Sequence, residues 1–493
     1  MRSRFLLFLA MFDFPVFAIA QQEYSSFTST GRGGATTFVT DYQALGINPA
    51  GVGMANPYGK KMTMGFTEFT FSLHSQALTK QELRSTIGSY VKGENQQTFT
   101  QQQKIDAARE FTDAGFAINV DFGSFGFSFC DPKIGGFAFR INDRFQWYSK
   151  LGKEASELLF LGFNANYFDS LVYNNGMGNT VIANNPNMSQ DSINNVVLGF
   201  TNSPKMISQL LDGTVMNMSW TREYNLSYGR KIFGNDSTFA LYGGVGVKLY
   251  QGLAYMDVNA SNGQLYAFSS ISPAFNIDYG TAAQSNPSSV TQTGKIPKPV
   301  GMGYGFDFGV NLLIKGKLKI GAAMSNMGSI TWDGNVYTMK DTLVFDTDNP
   351  GAENYNIIGQ FNNMGGDSGL FKWDGVSEKK VSLPTTYRFG ASLKLGKVAE
   401  LGFDVIIPGN DEAGNFRKPI IGMGGDITPI RWVRFSAGFM TGGNYDFMIP
   451  LGVTFIAQDG RWEGGIASRD VVTFFTQNGP TISFSTGFMR FRF

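Results

Sequence analysis

The sequence is poor in the residues that most often build catalytic and metal sites. Its 493 residues include one cysteine, Cys130, and one histidine, His74. A single cysteine excludes an intrachain disulfide and a zinc site made of cysteines. A single histidine excludes metal sites and catalytic dyads that need several. We therefore expect no catalytic residue, no cofactor and no metal. The alternative is a surface enzyme in barrel form, which would have to depend on His74.

Charge is also scarce. Only 16% of the residues are charged and the formal net charge is +1, whereas about 25% is usual for soluble domains. Nucleic-acid binding needs a basic surface, so no nucleic-acid partner is expected. Glycine (61 residues) and phenylalanine (46 residues) are abundant instead. Two glycine-rich stretches, at 301–309 and 242–247, lack the lysine of a phosphate-binding loop.

Long hydrophobic runs are missing after the N-terminus. Arg2 and Arg4 precede the short apolar run "FLLFLAMFDFPVF", and "AIA" ends at Ala20. This pattern predicts a cleaved signal peptide at residues 1–20; the alternative is a short membrane anchor. Because no later stretch has about 20 consecutive apolar residues, we expect an exported chain without a transmembrane helix.

Alternation of apolar and polar residues, the period of a β-strand, fills most of the chain. In "YGFDFGVNLLI" the residues Phe306, Phe308 and Val310 share one face, opposite Asp307 and Asn311. A soluble sandwich and a membrane barrel both fit such strands. The apparent strands reach ten residues or more, as membrane barrels require. Aromatic residues near predicted strand ends suggest an interfacial girdle: Trp147, Tyr148, Trp220, Trp332, Trp432 and Trp462.

Short polar turns alternate with longer loops along this part of the chain. Six tight turns are predicted, at 130–135, 233–237, 314–317, 395–400, 426–431 and 457–461. Seven longer connections lie between them, at about 75–114, 149–216, 258–301, 334–382, 409–416, 442–445 and 478–480. The pattern predicts an all-β fold: a 14-stranded antiparallel transmembrane β-barrel at residues 61–493, with short periplasmic turns and long extracellular loops. The expected location is the outer membrane of a Gram-negative cell.

The long loops contain helical patterns as well as polar tracts. "TKQELRSTIGSYVKG", "TFTQQQKIDAAREFTDA" and "KEASELLFLGF" are predicted helices, and "NASNGQ" predicts a hairpin. In the third helix Leu158, Leu159, Phe160 and Phe163 have two interpretations. They line an apolar ligand groove, or they pack the helix onto the barrel rim.

Charged residues on the polar strand faces should point into the lumen. They form a polar path or a docking surface for a plug, or they make lumenal salt bridges that brace the wall. The residues are Arg140, Glu223, Lys248, Asp307, Arg388, Asp404, Arg434 and Glu463.

The C-terminal stretch "TGFMRFRF" alternates Phe491 and Phe493 with Arg490 and Arg492. A last strand that ends in phenylalanine resembles the terminal signal of outer-membrane barrels. We therefore expect Phe491 and Phe493 to be recognised by the barrel-assembly machinery.

The N-terminal stretch "GRGGATTFVTDYQALGINPAGVGMA" has neither a helix nor a strand period. It resembles the hatch of the FadL/TodX family of outer-membrane transporters, in which small residues precede an acidic residue and an Asn-Pro-Ala-Gly motif. The matching positions are Asp41, Asn48, Pro49, Ala50 and Gly51. The resemblance implies a hatch at residues 21–60 that plugs a 14-stranded barrel. It also implies transport of hydrophobic small molecules, either fatty-acid-like or aromatic.

The same resemblance implies roles for the motif. Asn48 would bond barrel backbone at a kink, Pro49 would fix the turn, and Ala50 and Gly51 would allow close approach. Asp41 would pair with a lumenal arginine or lysine.

Other segments, such as "REYNLSYGRKI" and "SNMGSITW", resemble a Bacteroidota branch of the superfamily with no assigned function. PorV-like relatives are accessory barrels of protein secretion, so a non-transporting subunit of a secretion or assembly complex is the alternative. Outer-membrane lipid and lipopolysaccharide are expected partners in either case.

Overall fold

A computed structural model describes residues 26–37, 39–84, 98–185, 187–294, 296–355, 370–396, 398–416, 418–443, 445–476 and 480–493. The expected signal peptide at residues 1–20 and the first residues of the expected hatch lie outside these ranges. Most of the predicted helix at 79–93 also lies outside them; its residues 80–84 are helical.

Fourteen strands of the described chain close into a ring. Each is antiparallel to the next, and the last pairs with the first, Phe484 opposite Phe71. The predicted 14-stranded barrel is therefore confirmed. The strands are β1 Met62–Ser75, β2 Gly115–Asp131, β3 Gly135–Lys150, β4 Val215–Asn235, β5 Phe239–Ser261, β6 Gly301–Ile314, β7 Leu318–Trp332, β8 Thr386–Leu395, β9 Ala399–Pro408, β10 Ile420–Ile430, β11 Val433–Gly442, β12 Leu451–Ala457, β13 Trp462–Ser468 and β14 Thr481–Arg492.

The alternation seen in the sequence separates the two faces of the wall. In β6, Phe308 and Val310 are 46% and 47% exposed on the outside, while Asp307 and Asn311 are 0% and 1% exposed on the inside. A wall with an apolar outer face can stand in lipid because ring closure pairs the backbone groups of every strand. No described helix is long and apolar enough to cross a membrane.

Two strands are shorter than predicted. β12 and β13 have seven residues each, against the roughly 9–11 expected for a spanning strand. Pro450 lies between β12 and the short strand Tyr445–Met448, which continues the pairing with β11. Since proline cannot donate a ladder hydrogen bond, it divides this part of the wall into two pieces. The last loop is also longer than the predicted 478–480, because β13 ends at Ser468.

The described parts of the long loops fold into a cap over one end of the barrel. The predicted helices appear at Gln101–Phe111 and Lys153–Leu161, and a Thr100–Gln103 capping box begins the first. The predicted hairpin turns at Asn262–Gly263, where both residues have positive φ. A second sheet in the cap joins the strands Ser170–Asn174, Asn179–Ala183, Val196–Met206 and Leu343–Thr347.

The remaining short elements lie in the loops and in the N-terminal segment. The strands are Gln264–Ile271, Val336–Lys340, Lys372–Gly375 and Lys379–Ser382. The α-helices are Phe27–Thr30, Gln190–Ile193, Ile207–Leu210 and Ala282–Ser285. The 3₁₀ helices are Asp41–Ala44, Pro49–Gly53, Gly162–Asn164, Pro273–Phe275 and Val472–Phe474.

Three of the six aromatic residues expected in the girdle are buried instead. Trp147 and Trp332 are each 1% exposed, Trp147 in the apolar core of the cap and Trp332 beside Tyr255. Tyr148 is also fully buried, whereas Trp432 is 59% exposed. The misjudged residues lie where β3 and β7 run into the cap, so their aromatic rings meet protein instead of lipid.

Candidate functional site in the lumen

Residues 26–37 and 39–60, here called the lumenal segment, lie inside the ring of strands. Short helical turns replace any long element: Phe27–Thr30, Asp41–Ala44 and Pro49–Gly53. The segment is irregular because the wall supplies its packing partners. Tyr42, Leu45 and Ile47 are 1–2% exposed.

The Asn-Pro-Ala-Gly motif presses against the barrel backbone. Asn48 donates from Nδ2 to the carbonyl oxygens of Val310 (3.2 Å) and Ala322 (3.4 Å), on β6 and β7. Its Oδ1 accepts from the Ala50 backbone N–H at 3.0 Å, which caps the turn that Pro49 begins. A Cβ atom on Gly309 would lie 2.1 Å from Asn48 Oδ1. The wall therefore needs glycine where the motif touches it.

Asp41 meets β14. Its Oδ2 accepts a hydrogen bond of 2.5 Å from Arg490 Nη2. Arg490 also pairs with Glu463 at 2.7 Å, and Glu463 is contacted by Arg434 and Arg492 as well. The segment is thus tied to a buried cluster of three wall arginines around one glutamate.

Asp404 and Arg388 hold a second point of the lumenal segment. Asp404 Oδ2 accepts from the backbone N–H and the hydroxyl of Thr36, at 2.8 and 2.6 Å. Arg388 pairs with the same carboxylate at 2.9 Å and donates to Thr36 Oγ1 at 2.6 Å. On the next strand pair, Arg32 of the segment is bonded to Asp426.

Glu68 on β1 binds the middle of the segment, at Tyr42 and Gln43. Its Oε1 accepts from the Tyr42 hydroxyl at 2.6 Å and from the Gln43 amide at 2.8 Å. Arg140 pairs with the other oxygen of Glu68 at 3.2 Å. Every residue of this group is buried, so each polar contact forms away from bulk water.

Lys248, Asp307 and Glu223 form a separate group nearer the loops. Lys248 Nζ lies 3.0 Å from Asp307 and 3.7 Å from Glu223, and it also donates to Asn326. Among the residues that the structure describes, the ion pairs of this group involve wall residues only, which fits the wall-bracing interpretation. The eight charged positions predicted from the sequence therefore fall into three groups. One group contacts the lumenal segment, one contacts the wall partners of the segment, and one lies nearer the loops.

Five residues that join the segment to the wall were not predicted from the sequence: Arg32, Thr36 and Tyr42 in the segment, and Glu68 and Asp426 on the wall. Glu68 is the single charge in β1 and Asp426 ends a glycine-rich strand face, so strand alternation was a usable signal for both. No sequence signal pairs them with the segment.

Two cavities lie on opposite sides of the lumenal segment. The larger, about 390 Å³, is near the short turns and is lined by Arg32, Tyr58, Lys394, Arg434, Arg490 and Arg492 among others. The smaller, about 50 Å³, lies toward the cap and is bounded by Glu223, Tyr250 and Trp332. No residue lines both cavities. Within the described ranges, no group of His, Cys, Asp and Glu is arranged to hold a metal.

The apolar residues of the third predicted helix pack inside the cap. Leu158, Leu159 and Phe160 are 2%, 3% and 0% exposed, and Phe160 contacts Phe111 at 5.1 Å between ring centroids. Phe163 is 4% exposed in a neighbouring cluster. They do not line an open groove in this structure.

The C-terminal residues lie on the outside of the closing strand. Phe491 is half-buried, opposite Met64 of β1, and Phe493 is 63% exposed. Arg490 and Arg492 alternate with them and point inward, where they meet Glu463.

A family model matches residues 152–457, from the cap through most of the barrel. The chain belongs to the family of unknown function DUF5723. No curated protein matches this DUF5723 member.

Among solved structures, the chain is similar to the P. putida toluene transporter TodX, at TM-score 0.43 and 10% identity, over 96% of this chain and 99% of that chain. A TodX deltaS2S3 mutant, described as a monoaromatic hydrocarbon channel, gives TM-score 0.48 at 8% identity, over 95% and 99% of the two chains. A Pseudomonas aeruginosa FadL homologue gives 0.41 at 11% identity, over 96% and 98%.

Proposed function

We propose that this protein is an outer-membrane barrel, not an enzyme, that passes hydrophobic small molecules of the fatty-acid or aromatic type. The lumenal segment is its gate. The observation that carries the proposal is the position of this segment between two cavities that share no lining residue. The motif resemblance at residues 31–55 supports the same function.

The contacts of the segment suit a part that can be released. Arg490 keeps Glu463 when Asp41 leaves, and Arg388 keeps Asp404 when Thr36 leaves. Leaving a buried charge without a partner is the costly event in breaking an ion pair. Because these wall arginines keep their wall carboxylates, release of the segment does not leave either arginine without an oppositely charged partner.

The proposed orientation follows from loop length. Outer-membrane barrels have short periplasmic turns and longer external loops, so the cap faces outward and the cavity lined by arginines faces the periplasm. In this orientation the barrel meets phospholipid on one side and lipopolysaccharide on the other. Phe491 and Phe493 serve its recognition by the assembly machinery.

Flux measurements test the transport function. The full chain is placed in vesicles whose outer leaflet is lipopolysaccharide, and uptake of long-chain fatty acids and monoaromatic hydrocarbons is followed. We expect faster uptake than in protein-free vesicles, and no faster uptake of a polar solute of similar size. Equal permeation with and without the protein across the whole panel would overturn the proposal.

The second candidate is an accessory barrel of a secretion or assembly complex. The observation that favours it is the second sheet of the cap, whose edge strand Asn179–Ala183 leaves Val181 65% exposed beside Met177 at 98%. An open strand edge is a template for pairing with another chain.

Crosslinking in mild detergent tests this candidate. A partner captured by the wild type should be lost in Val181→Lys and kept in Ile296→Lys. Ile296 is a fair control because it is also exposed, at 77%, on a different loop. Recovery of the free monomer alone from native membranes would count against an accessory role.

A further inference from the structure

The lipid-facing wall carries a furrow across strands β4 to β8, with a volume of about 660 Å³. Two neighbouring rows of register partners form it. One row is Arg230, Gly243, Val310, Ala322 and Phe389. The other row is Tyr228, Val245, Phe308, Met324 and Tyr387.

Small residues on either side of Val310 in the first row make the depression. Gly243 and Ala322 occupy outward positions where most of the wall carries Phe, Leu or Ile. A Cβ on Gly243 would meet only the terminal atoms of Ile232, at 3.2 and 3.4 Å. The sides are tall, since Phe308 and Phe389 stand 46% and 51% exposed. Strands lie about 4.8 Å apart, so the five-strand row extends for roughly 19 Å.

Arg230 stands at one end of the furrow. It is exposed on the outer face, whereas the preceding Gly229 faces Gly53 of the lumenal segment. The Arg230 side chain makes no hydrogen bond or ion pair with any residue that the structure describes, while Lys231 beside it pairs with Asp236 at 2.9 Å. Arg230 also lies near the short-turn end of β4, five positions before Asn235.

A lone guanidinium on the lipid face needs an anion. Exposing arginine to hydrocarbon costs up to about 2–4 kcal/mol at the bilayer midplane and less near the interface. Its side chain can extend toward the headgroups, where phosphate offers it paired hydrogen bonds. The apolar furrow that begins at Arg230 offers room for a chain attached to that phosphate.

We propose that this furrow binds a glycerophospholipid of the leaflet at the short-turn end. The phosphate contacts Arg230 and one acyl chain lies along the row through Gly243 and Ala322. The charge of Arg230 and the apolar lining together match the two ends of this ligand. The site is on the outer wall; it rests on the proposed orientation of the barrel, but not on the proposed transport.

Lipid retention tests the proposal. The full-length barrel is extracted in mild detergent, and native mass spectrometry with lipid extraction measures the phospholipid that remains. We expect the wild type to keep a single phospholipid. Arg230→Gln and Ala322→Leu should each lose it, the first by removing the phosphate partner and the second by filling the furrow. Arg230→Lys should retain less than the wild type but more than Arg230→Gln.

Ala437→Leu is the matched control, because Ala437 is likewise a small residue that faces outward but lies on β11, outside the furrow. It should keep the lipid. A heat-dependent shift in electrophoretic migration verifies that each variant is a folded barrel. If Ala322→Leu does not fold, the comparison of Arg230→Gln with the wild type tests the proposal by itself. Retention of lipopolysaccharide in place of phospholipid, equal retention in all variants, or no retained phospholipid in the wild type would overturn the proposal.

Discussion

Arg490 and Asp41 join the last strand of the barrel to the segment that fills it, through a hydrogen bond of 2.5 Å between Nη2 and Oδ2. Asp41 adopts a positive φ of 60°, a conformation that aspartate and asparagine tolerate better than most residues. Its side chain thereby faces β14 from within a short 3₁₀ turn. The bond is the most direct tie between the proposed gate and the closing strand.

Removal of this charge should loosen the gate. Asp41→Asn keeps the shape and the backbone preference of the residue but loses the ion pair with Arg490. We expect more frequent channel openings and faster uptake of hydrophobic solutes, measured by planar-bilayer conductance and by vesicle flux. Asp131→Asn, at the exposed pair with Lys61, should behave like the wild type. An Asp41→Asn variant with the conductance and uptake of the wild type would mean that this contact does not restrain the segment.

Glu463 should matter more for stability than any surface carboxylate. It is fully buried and contacts Arg434, Arg490 and Arg492. Breaking a buried ion pair by removing one partner costs about 3–5 kcal/mol, so Glu463→Gln should lower the urea midpoint of the barrel clearly. Asp374→Asn removes a half-exposed partner of Lys340 and should cost about 1 kcal/mol or less. Equal midpoints for the two variants would contradict this account.

A methyl group at Gly309 should push the lumenal segment away from the wall. The new Cβ would lie 2.1 Å from Asn48 Oδ1, so Asn48 must move and lose its bonds to β6 and β7. Gly309→Ala should therefore increase protease cleavage and hydrogen exchange within residues 26–60. Gly243→Ala on the neighbouring strand serves as the control, because its Cβ would meet only the flexible end of Ile232. Unchanged protection in both variants would argue against tight packing at the motif.

Phe160 distinguishes packing from ligand binding in the cap. Truncating a fully buried phenylalanine costs about 3–5 kcal/mol, so Phe160→Ala should raise hydrogen exchange in the helices Gln101–Phe111 and Lys153–Leu161. The barrel strands should remain protected. Phe345→Ala, at a 53% exposed position, should leave exchange unchanged. A loss of hydrophobic ligand without any loosening of the cap would favour the groove interpretation.

The barrel could be predicted from the sequence because its signal is local. Alternation in β6 separates Phe308 from Asp307 whatever the rest of the chain does, and six short turns mark strand ends without reference to tertiary contacts. The signal fails where the wall departs from regularity. Pro450 divides the wall beside β11, and the length of β13 depends on how the following loop folds.

For the contacts of the site, the sequence predicts the chemical type of each partner but not which residue it is. An acidic residue in the hatch motif implies a basic partner, but nothing local selects Arg490 from the inward arginines. The same holds for Trp147 and Trp332, whose positions near strand ends suggested lipid contact. Whether a strand end meets lipid or a folded loop is decided by chain segments far away in sequence.

The lumenal segment also fixes an order of events during biogenesis. It precedes every strand of the barrel, yet Asp41 binds a residue 449 positions later. A ring that had already closed would have to admit this segment through a lumen that the segment itself fills. We therefore expect the ring to close only once the segment is in place. Contacts between such distant parts of a chain form slowly, so we expect the segment to be enclosed only when the final strand pairs.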